Sequence, residues 1–307
     1  MTAQSVILPL PSDHARFIVL RLKDLSLEKL KAKLSDLIST RNRLIASYPQ
    51  LEIKTAIAFG PELWCKLSPE LPPGFKALAP INAAFEMPAI AADVLIHIAS
   101  TRADLCFTLS QAFFDGIQDQ IELLDERVCF RQIEGRDLTG FIDGTENPQF
   151  PDDRAETALL GKDTGIFADG CFVFAQRYVH HLDKWKKLKV DTQEQVIGRT
   201  KLESIELDDQ VKPENAHIAR AVIENDEGEE LEILRHSLPY GDGQGEQGLF
   251  FIAYTKDLAI IDRMLARMFG NHGDGIHDRL LHFVTPQDGA YFFAPSDELL
   301  TDIIETA

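Results

Sequence analysis

The chain alternates short apolar runs with amphipathic stretches, and the order of the two kinds recurs. Arg16 to Leu22 (RFIVLRL) reads as a buried strand. Leu25 to Ile45 carries Leu27, Leu30, Leu34, Leu37, Ile38 and Leu44 near helical spacing, with Lys and Asp between them. Leu51 to Phe59 suggests a second strand with a short element running on to Leu67, and Pro69, Pro72 and Pro73 mark a loop. Asp93 to Ser100 is a third strand, Ala103 to Ile117 a helical pattern and Glu122 to Ile133 a further strand.

Strand, helix, strand, strand, helix, strand is the ferredoxin-like arrangement, and it returns in the second half. Gly170 to Val179 is a strand, Leu182 to Glu194 a helix, Ala219 to Ile223 and Glu232 to Ser237 short strands. The aromatic run Gly248 to Tyr254 is a strand, Leu258 to Phe269 a helix and Gly289 to Ala294 the last strand. That is one strand more than the pattern needs, and which is the extra stays open. The expectation is an α+β protein of two ferredoxin-like domains with antiparallel sheets, residues 1–140 and 141–307, joined through about residues 135–165.

Composition narrows the function. At 307 residues, 45% of them hydrophobic, the chain has the length for two domains and a sizeable core. Its 49 acidic against 31 basic side chains give a net charge of −18, which repels phosphate backbones and anionic lipid and argues against nucleic acid and membrane partners. The first residues lack a basic region followed by a sustained apolar stretch, so no secretory signal is expected. Cys65, Cys106, Cys129 and Cys171 are widely spaced with no CxxC pair, against a zinc site, an iron–sulfur cluster or covalent haem attachment. Scattered thiols fit the cytoplasm.

The chemistry centres on Gly135 to Pro148, GRDLTGFIDGTENP. Phe141 and Ile142 deliver Asp143 into a turn made by Gly144, Thr145, Glu146 and Asn147. There Gly144 permits a positive φ or a close backbone approach, and Pro148 keeps Asn147 out of the helical region. A carboxylate on a rigid turn beside apolar residues suits proton transfer; the plainer reading is a surface turn whose Asp caps its own backbone. GFIDGTENP resembles the GxxDG signature of the dye-decolourising peroxidases, haem b enzymes with a bacterial cytoplasmic branch, and the resemblance is strongest from Arg136 to Ser296.

That resemblance implies a non-covalent haem b, one per subunit, in a pocket mainly within the C-terminal half. Asp143 and Arg235 (in LEILRHSLPYG) would be the catalytic pair, with Ser237, Gly144 and Thr145 lining the same distal face. His217, in PENAHIARAVIEN, matches the axial histidine and thus the iron ligand; Arg199, in EQVIGRTK, matches a contact to a haem propionate. A C-terminal acid would hydrogen-bond the axial ring, with Asp278 the candidate and Asp288 its rival. The implied reaction reduces hydrogen peroxide and oxidises a small organic donor (a dye, a phenolic or a porphyrinogen) through a ferryl intermediate, in a homo-oligomer. Two other functions fit the same residues: a haem- or porphyrin-handling protein without peroxidase turnover, and a haem-free ferredoxin-like binding module.

Other histidines read differently. His97 lies in an apolar strand and reads as a core residue, His180 and His181 follow a strand and read as exposed, and His272 and His277 flank Asp274 in a Gly-rich loop. Trp64, Trp185, Tyr178, Tyr240, Tyr254 and Tyr291 are packing residues or electron relays. Gly243 to Gly248 satisfies GxGxxG, but the aromatic strand that follows, rather than a helix, excludes a dinucleotide site.

Overall fold

The computed structural model describes residues 2–306. The first half runs β1 (His14–Leu22), α1 (Leu27–Ser47), β2 (Ile53–Phe59), α2 (Pro61–Leu67), a small hairpin of β3 (Ile81–Asn82) and β4 (Glu86–Met87), β5 (Val94–Ser100), α3 (Ala103–Phe114) and β6 (Ile121–Phe130). The second half runs α4 (Pro151–Ala158), β7 (Cys171–His180), α5 (Leu182–Trp185), α6 (Val190–Ile197), α7 (His217–Ala221), β8 (Leu234–Arg235), β9 (Leu238–Gly241), β10 (Gln247–Thr255), α8 (Leu258–Met268), β11 (Val284–Ala294) and α9 (Asp297–Glu305).

The helices form where spacing and caps agree. Leu30, Leu34 and Leu37 bury one stripe of α1, and Ser26 caps it by accepting from Lys29 N–H. Asp257 caps α8 in the same way, and Leu258, Ile261 and Leu265 face the core.

All the sheet pairings between strands are antiparallel. Four strands of the first half lie in the order β2-β5-β1-β6 and four of the second in the order β11-β7-β10-β9. Numbered within its half, each is the 2-3-1-4 order of the ferredoxin-like arrangement, written from one edge or the other. The two sheets meet edge to edge through single pairs, Phe293 with Phe59 and Cys129 with Tyr240, so the eight strands close into a ring. Closure removes the exposed sheet edges that would otherwise template aggregation. Inside the ring, side chains of both halves form one core, with the Phe17 and Phe250 rings stacked 4.3 Å apart.

The surplus strand is now accounted for. Ala219 to Ile223 is not a strand: residues 217–221 form α7, because so short a stretch with apolar residues at 218, 219 and 221 fits either period and packing against α8 decides it. The second strand of the C-terminal sheet is instead β8 and β9 together. Both pair with β10 and are interrupted at His236 and Ser237, where Ser237 Oγ accepts Ile252 N–H at 3.3 Å. The expected helix from Leu182 to Glu194 is two short helices. The first is pinned by buried Trp185, whose indole donates to Thr139 O at 2.8 Å. The strand expected to reach Ile133 ends at Phe130. No helix of the described residues is long and apolar enough to cross a membrane.

Candidate active site

One cleft, of about 1560 Å³ counting the space at its mouth, opens between the C-terminal sheet and the helices that cover it. Its lining residues all lie at or beyond Asp137. Apolar walls come from Phe174 and Tyr178 of β7, Leu249 and Phe251 of β10, and Ile261, Met264, Leu265 and Met268 of α8. Asp143, Gly144, Thr145, Arg199, His217, Arg235 and Asp278, seven of the eight residues singled out from the sequence, line the same space. Ser237 does not; its hydroxyl is engaged by β10 behind the wall.

The Asp143 turn is built from its own backbone. Asp143 N–H donates to Gly135 O (3.0 Å) and Arg136 bridges Ile142. Gly144 takes φ +76°, the left-handed region that an L side chain rarely adopts. The Asp143 carboxylate lies 3.6 Å from Arg235 Nη1, with both side chains only about a fifth to a quarter exposed (24% and 21%).

His217 is the first residue of α7, so its ring leaves the helix at the cleft wall. Its Nδ1 lies 2.6 Å from Asp278 Oδ2, and the Asp278 side chain is wholly buried. Burial of the ring opposes its charged form, yet the adjacent Asp278 carboxylate outweighs that and raises the imidazole above the ordinary histidine value. Asp278 is itself fixed, because its Oδ1 accepts Leu280 N–H at 2.8 Å. Asp288 is exposed at the register shift of β11 and stands apart from this pair.

Arg199 donates from Nη1 to Ser204 O (2.8 Å), and its Nη2 is shared by Glu146 and Glu206. Its Nε is buried at the cleft with no partner among the described residues. Glu232 also lines the cleft; burial, and then the carboxylates of Glu230, Asp153 and Glu146, push its carboxyl above the usual range.

Several expectations change. His180 is not exposed: its side chain is 4% accessible, it lines the cleft, and its Nδ1 stands 3.6 Å from Asp137 Oδ2. Its position near the end of an alternating strand carried no sign of this. His97 is a core residue, with Nδ1 2.7 Å from Tyr254 Oη. Asp274 is paired with Arg220 at 2.8 Å. The GxGxxG stretch is the turn of the β9–β10 hairpin. Glu146, Glu230 and Glu232 were missed as cleft residues; their clustering is a tertiary fact.

Residues 4–131 match the family profile described as Dyp-type peroxidase, N-terminal, and residues 134–299 match Dyp-type peroxidase, C-terminal. The chain belongs to the Dyp-type peroxidase family. A dye-decolorizing peroxidase of Mycobacterium tuberculosis is 38% identical over 258 residues, 82% of this chain and 76% of the relative. One from Mycolicibacterium paratuberculosis is 36% identical over 305 residues, 97% of this chain and 85% of the relative. Among solved structures, a dye-decolorizing protein from V. cholerae superposes with a TM-score of 0.92 at 38% identity, covering 98% of this chain and 99% of its own. A variant of Rhodococcus jostii DypB in complex with heme gives 0.88 at 35% identity, with 97% of both chains covered. The two-domain ferredoxin-like, α+β fold of the sequence reading is therefore the family's fold, and Dyp-type peroxidases are haem-dependent enzymes.

Proposed function

We propose that the chain reduces hydrogen peroxide and oxidises a small organic donor at this cleft, with His217 as the residue that would hold the iron of a haem b and Asp143 and Arg235 as the residues that work on peroxide. The observation that carries the reading is that one apolar-walled space is lined both by a histidine backed by a buried carboxylate and by a carboxylate–guanidinium pair.

The residues present fit the haem. Commitment of His217 Nδ1 to Asp278 leaves Nε2 as the ligating nitrogen and makes it a stronger donor. The unpartnered buried Arg199 Nε suits a carboxylate of the porphyrin edge. None of the cysteines lines the cleft, which supports a non-covalent group. When bound, haem supplies the iron at which peroxide is reduced and the oxidising equivalents that pass to the donor.

The remaining steps belong to side chains of this chain. Asp143 takes the proton from one peroxide oxygen and returns it to the departing oxygen, which leaves as water. Arg235 stabilises the negative charge that develops on that oxygen as the O–O bond breaks, and its donors are already oriented. Apolar walls exclude bulk water and strengthen both effects.

We also divide the chain near residue 140, because the first sheet's last strand ends at Phe130 and the second sheet starts at Cys171. Free cysteines support a cytoplasmic location. Assembly into a homo-oligomer rests on the family resemblance, and light scattering of the purified protein tests it. The experiment on the central reading compares the absorption spectrum of haem-loaded wild type and His217→Ala before and after stoichiometric peroxide. Altered or lost iron ligation in the variant supports His217; wild-type ligation and peroxide reactivity in the variant place the ligand elsewhere.

A further inference from the structure

Asp143 and Arg235 come from segments far apart in sequence, and one side chain with no role in the chemistry above joins them. Asn147 Nδ2 donates to Arg235 O at 2.8 Å, and Asn147 Oδ1 accepts Arg235 N–H at 3.0 Å. The amide thus bonds both backbone polar groups of Arg235, as a neighbouring strand residue would. It also fixes its own orientation, since rotation by half a turn would set donor against donor and acceptor against acceptor. Arg235 pairs with Ala253 of β10 on its other side, while the hydrogen bonds to β10 are made by the next residue, His236 N–H to Ile252 O. The backbone of Arg235 therefore points away from β10 and towards Asn147.

The other end of the connection is equally short. Asn147 N–H donates to Gly144 O (3.1 Å), and Gly144 follows Asp143, whose own N–H is held by Gly135 O. Pro148 restricts the backbone of Asn147, and buried Arg154 donates to Pro148 O from Nη1 at 3.2 Å. The carboxylate is fixed to the turn, the turn to Asn147 and Asn147 to the backbone of Arg235. The 3.6 Å between Asp143 Oδ1 and Arg235 Nη1 is set through these links.

We propose that Asn147 is a positioning residue for peroxide activation, holding the carboxylate and the guanidinium at their working separation. This rests on the reading of Asp143 and Arg235 as the pair that acts on peroxide. Catalysis by preorganised groups is sensitive to displacements of about 1 Å, which cost up to about 100-fold in rate. Asn147→Ala removes both bonds. Asn147→Asp keeps an acceptor for Arg235 N–H but sets a second oxygen against Arg235 O, so it serves as an alternative should the alanine variant not fold.

The test uses haem-loaded protein and three readouts: cyanide affinity, the second-order rate of the peroxide reaction and the KM of an organic donor. Cyanide binding, like the peroxide step, draws on a proton acceptor and a charge-stabilising donor, and needs no turnover. Asn147→Ala is expected to weaken cyanide binding and slow the peroxide reaction by about 10- to 100-fold each, with donor KM unchanged. Asn225→Ala is the control. It removes an asparagine that holds an exposed turn through Glu227 N–H and Glu229 N–H, and is expected to leave all three readouts alone. If Asn147→Ala lowers the melting temperature but leaves cyanide affinity and peroxide rate within about twofold of wild type, the residue serves stability alone and the proposal is overturned. Arg235→Leu and Asp143→Ala separate the two levels. Should they weaken cyanide binding while the Asn147 variants do not, only the positioning role falls. Should they too leave it unchanged, the assignment of the pair falls and the positioning role falls with it.

Discussion

The bond between Asp278 and His217 offers a substitution whose structural and chemical consequences separate. Asp278 performs two tasks: Oδ2 meets His217 Nδ1 at 2.6 Å, and Oδ1 accepts Leu280 N–H at 2.8 Å as the cap of the short turn at residues 279–282. Asn is about as good a cap as Asp, so Asp278→Asn leaves the turn intact. What changes is the group beside the imidazole: with its one carbonyl oxygen on Leu280 N–H, the Asn amide turns its Nδ2 donor towards the His217 Nδ1 that must donate when Nε2 ligates, so charge and acceptor are both lost. A hydrogen bond to a charged partner contributes about 1.5–3 kcal/mol. Its loss corresponds to roughly 10- to 140-fold in an equilibrium constant at 1.4 kcal/mol per tenfold. Loss of partners that orient a metal-bound histidine commonly costs about 10- to 100-fold. The expectation is therefore haem affinity lowered by about 10- to 100-fold and a raised iron reduction potential, with the thermal midpoint of the apoprotein nearly unchanged. Titration of apoprotein with haem under competition from a second haem-binding protein measures the first, and spectroelectrochemistry the second. An Asp278→Asn protein with wild-type affinity and wild-type potential would refute the claim that this carboxylate tunes the axial ligand.

Two further measurements probe the packing around the site. Cys106, Cys129 and Cys171 are buried, and desolvation pushes the Cys106 thiol up to about 12; Cys65 is exposed, so a maleimide at pH 8 should label Cys65 within minutes and the other three only on unfolding. Rapid native labelling of more than one thiol by mass spectrometry would contradict the closed core. His97 and His236 are buried neutral histidines whose proton affinity is depressed chiefly by desolvation, His236 to about 3. The unfolded chain binds these protons below the ordinary value of 6.5 and the folded chain does not, so the stability they contribute is present above 6.5 and lost as pH falls towards 3, at up to about 1.4 kcal/mol per pH unit for each histidine. Urea unfolding at stepped pH should show this slope, and His236→Phe should reduce it; an unchanged slope in the variant would remove His236 from the account.

Local pattern and site were legible to different depths, for different physical reasons. Helices α1 and α8 announce themselves because one stripe of leucine and isoleucine faces a core while a Ser or Asp caps the start. Segment 217–223 does not: five residues with two apolar neighbours satisfy a strand or a helix, and only the packing of α7 on α8 selects the helix. Closure of the ring was invisible for a related reason. Two sheets that share a core through inward-facing residues present the same alternation as two sheets that do not, and the contacts that join their edges amount to one residue pair on each side.

The site divides along the same line. Asp143 was legible because its turn is local: a positive φ at Gly144 and a proline after Asn147 are statements about neighbouring residues. What gives the carboxylate a partner is not local. Arg235 reaches it from a broken strand, Asp278 reaches His217 across 61 residues, and His180, read as exposed, is buried at the wall of the same cleft. Asn147 links the two kinds of information. Its side chain meets the backbone of Arg235 rather than a side chain, so any residue type but proline at position 235 would be held there. The brace therefore fixes where a side chain starts, and the identity of residue 235 decides what chemistry starts from that point. An Arg235→Leu protein should accordingly retain the bonds to Asn147 and the turn geometry while losing charge stabilisation, which makes it a cleaner test of the guanidinium's contribution than any change in the turn itself.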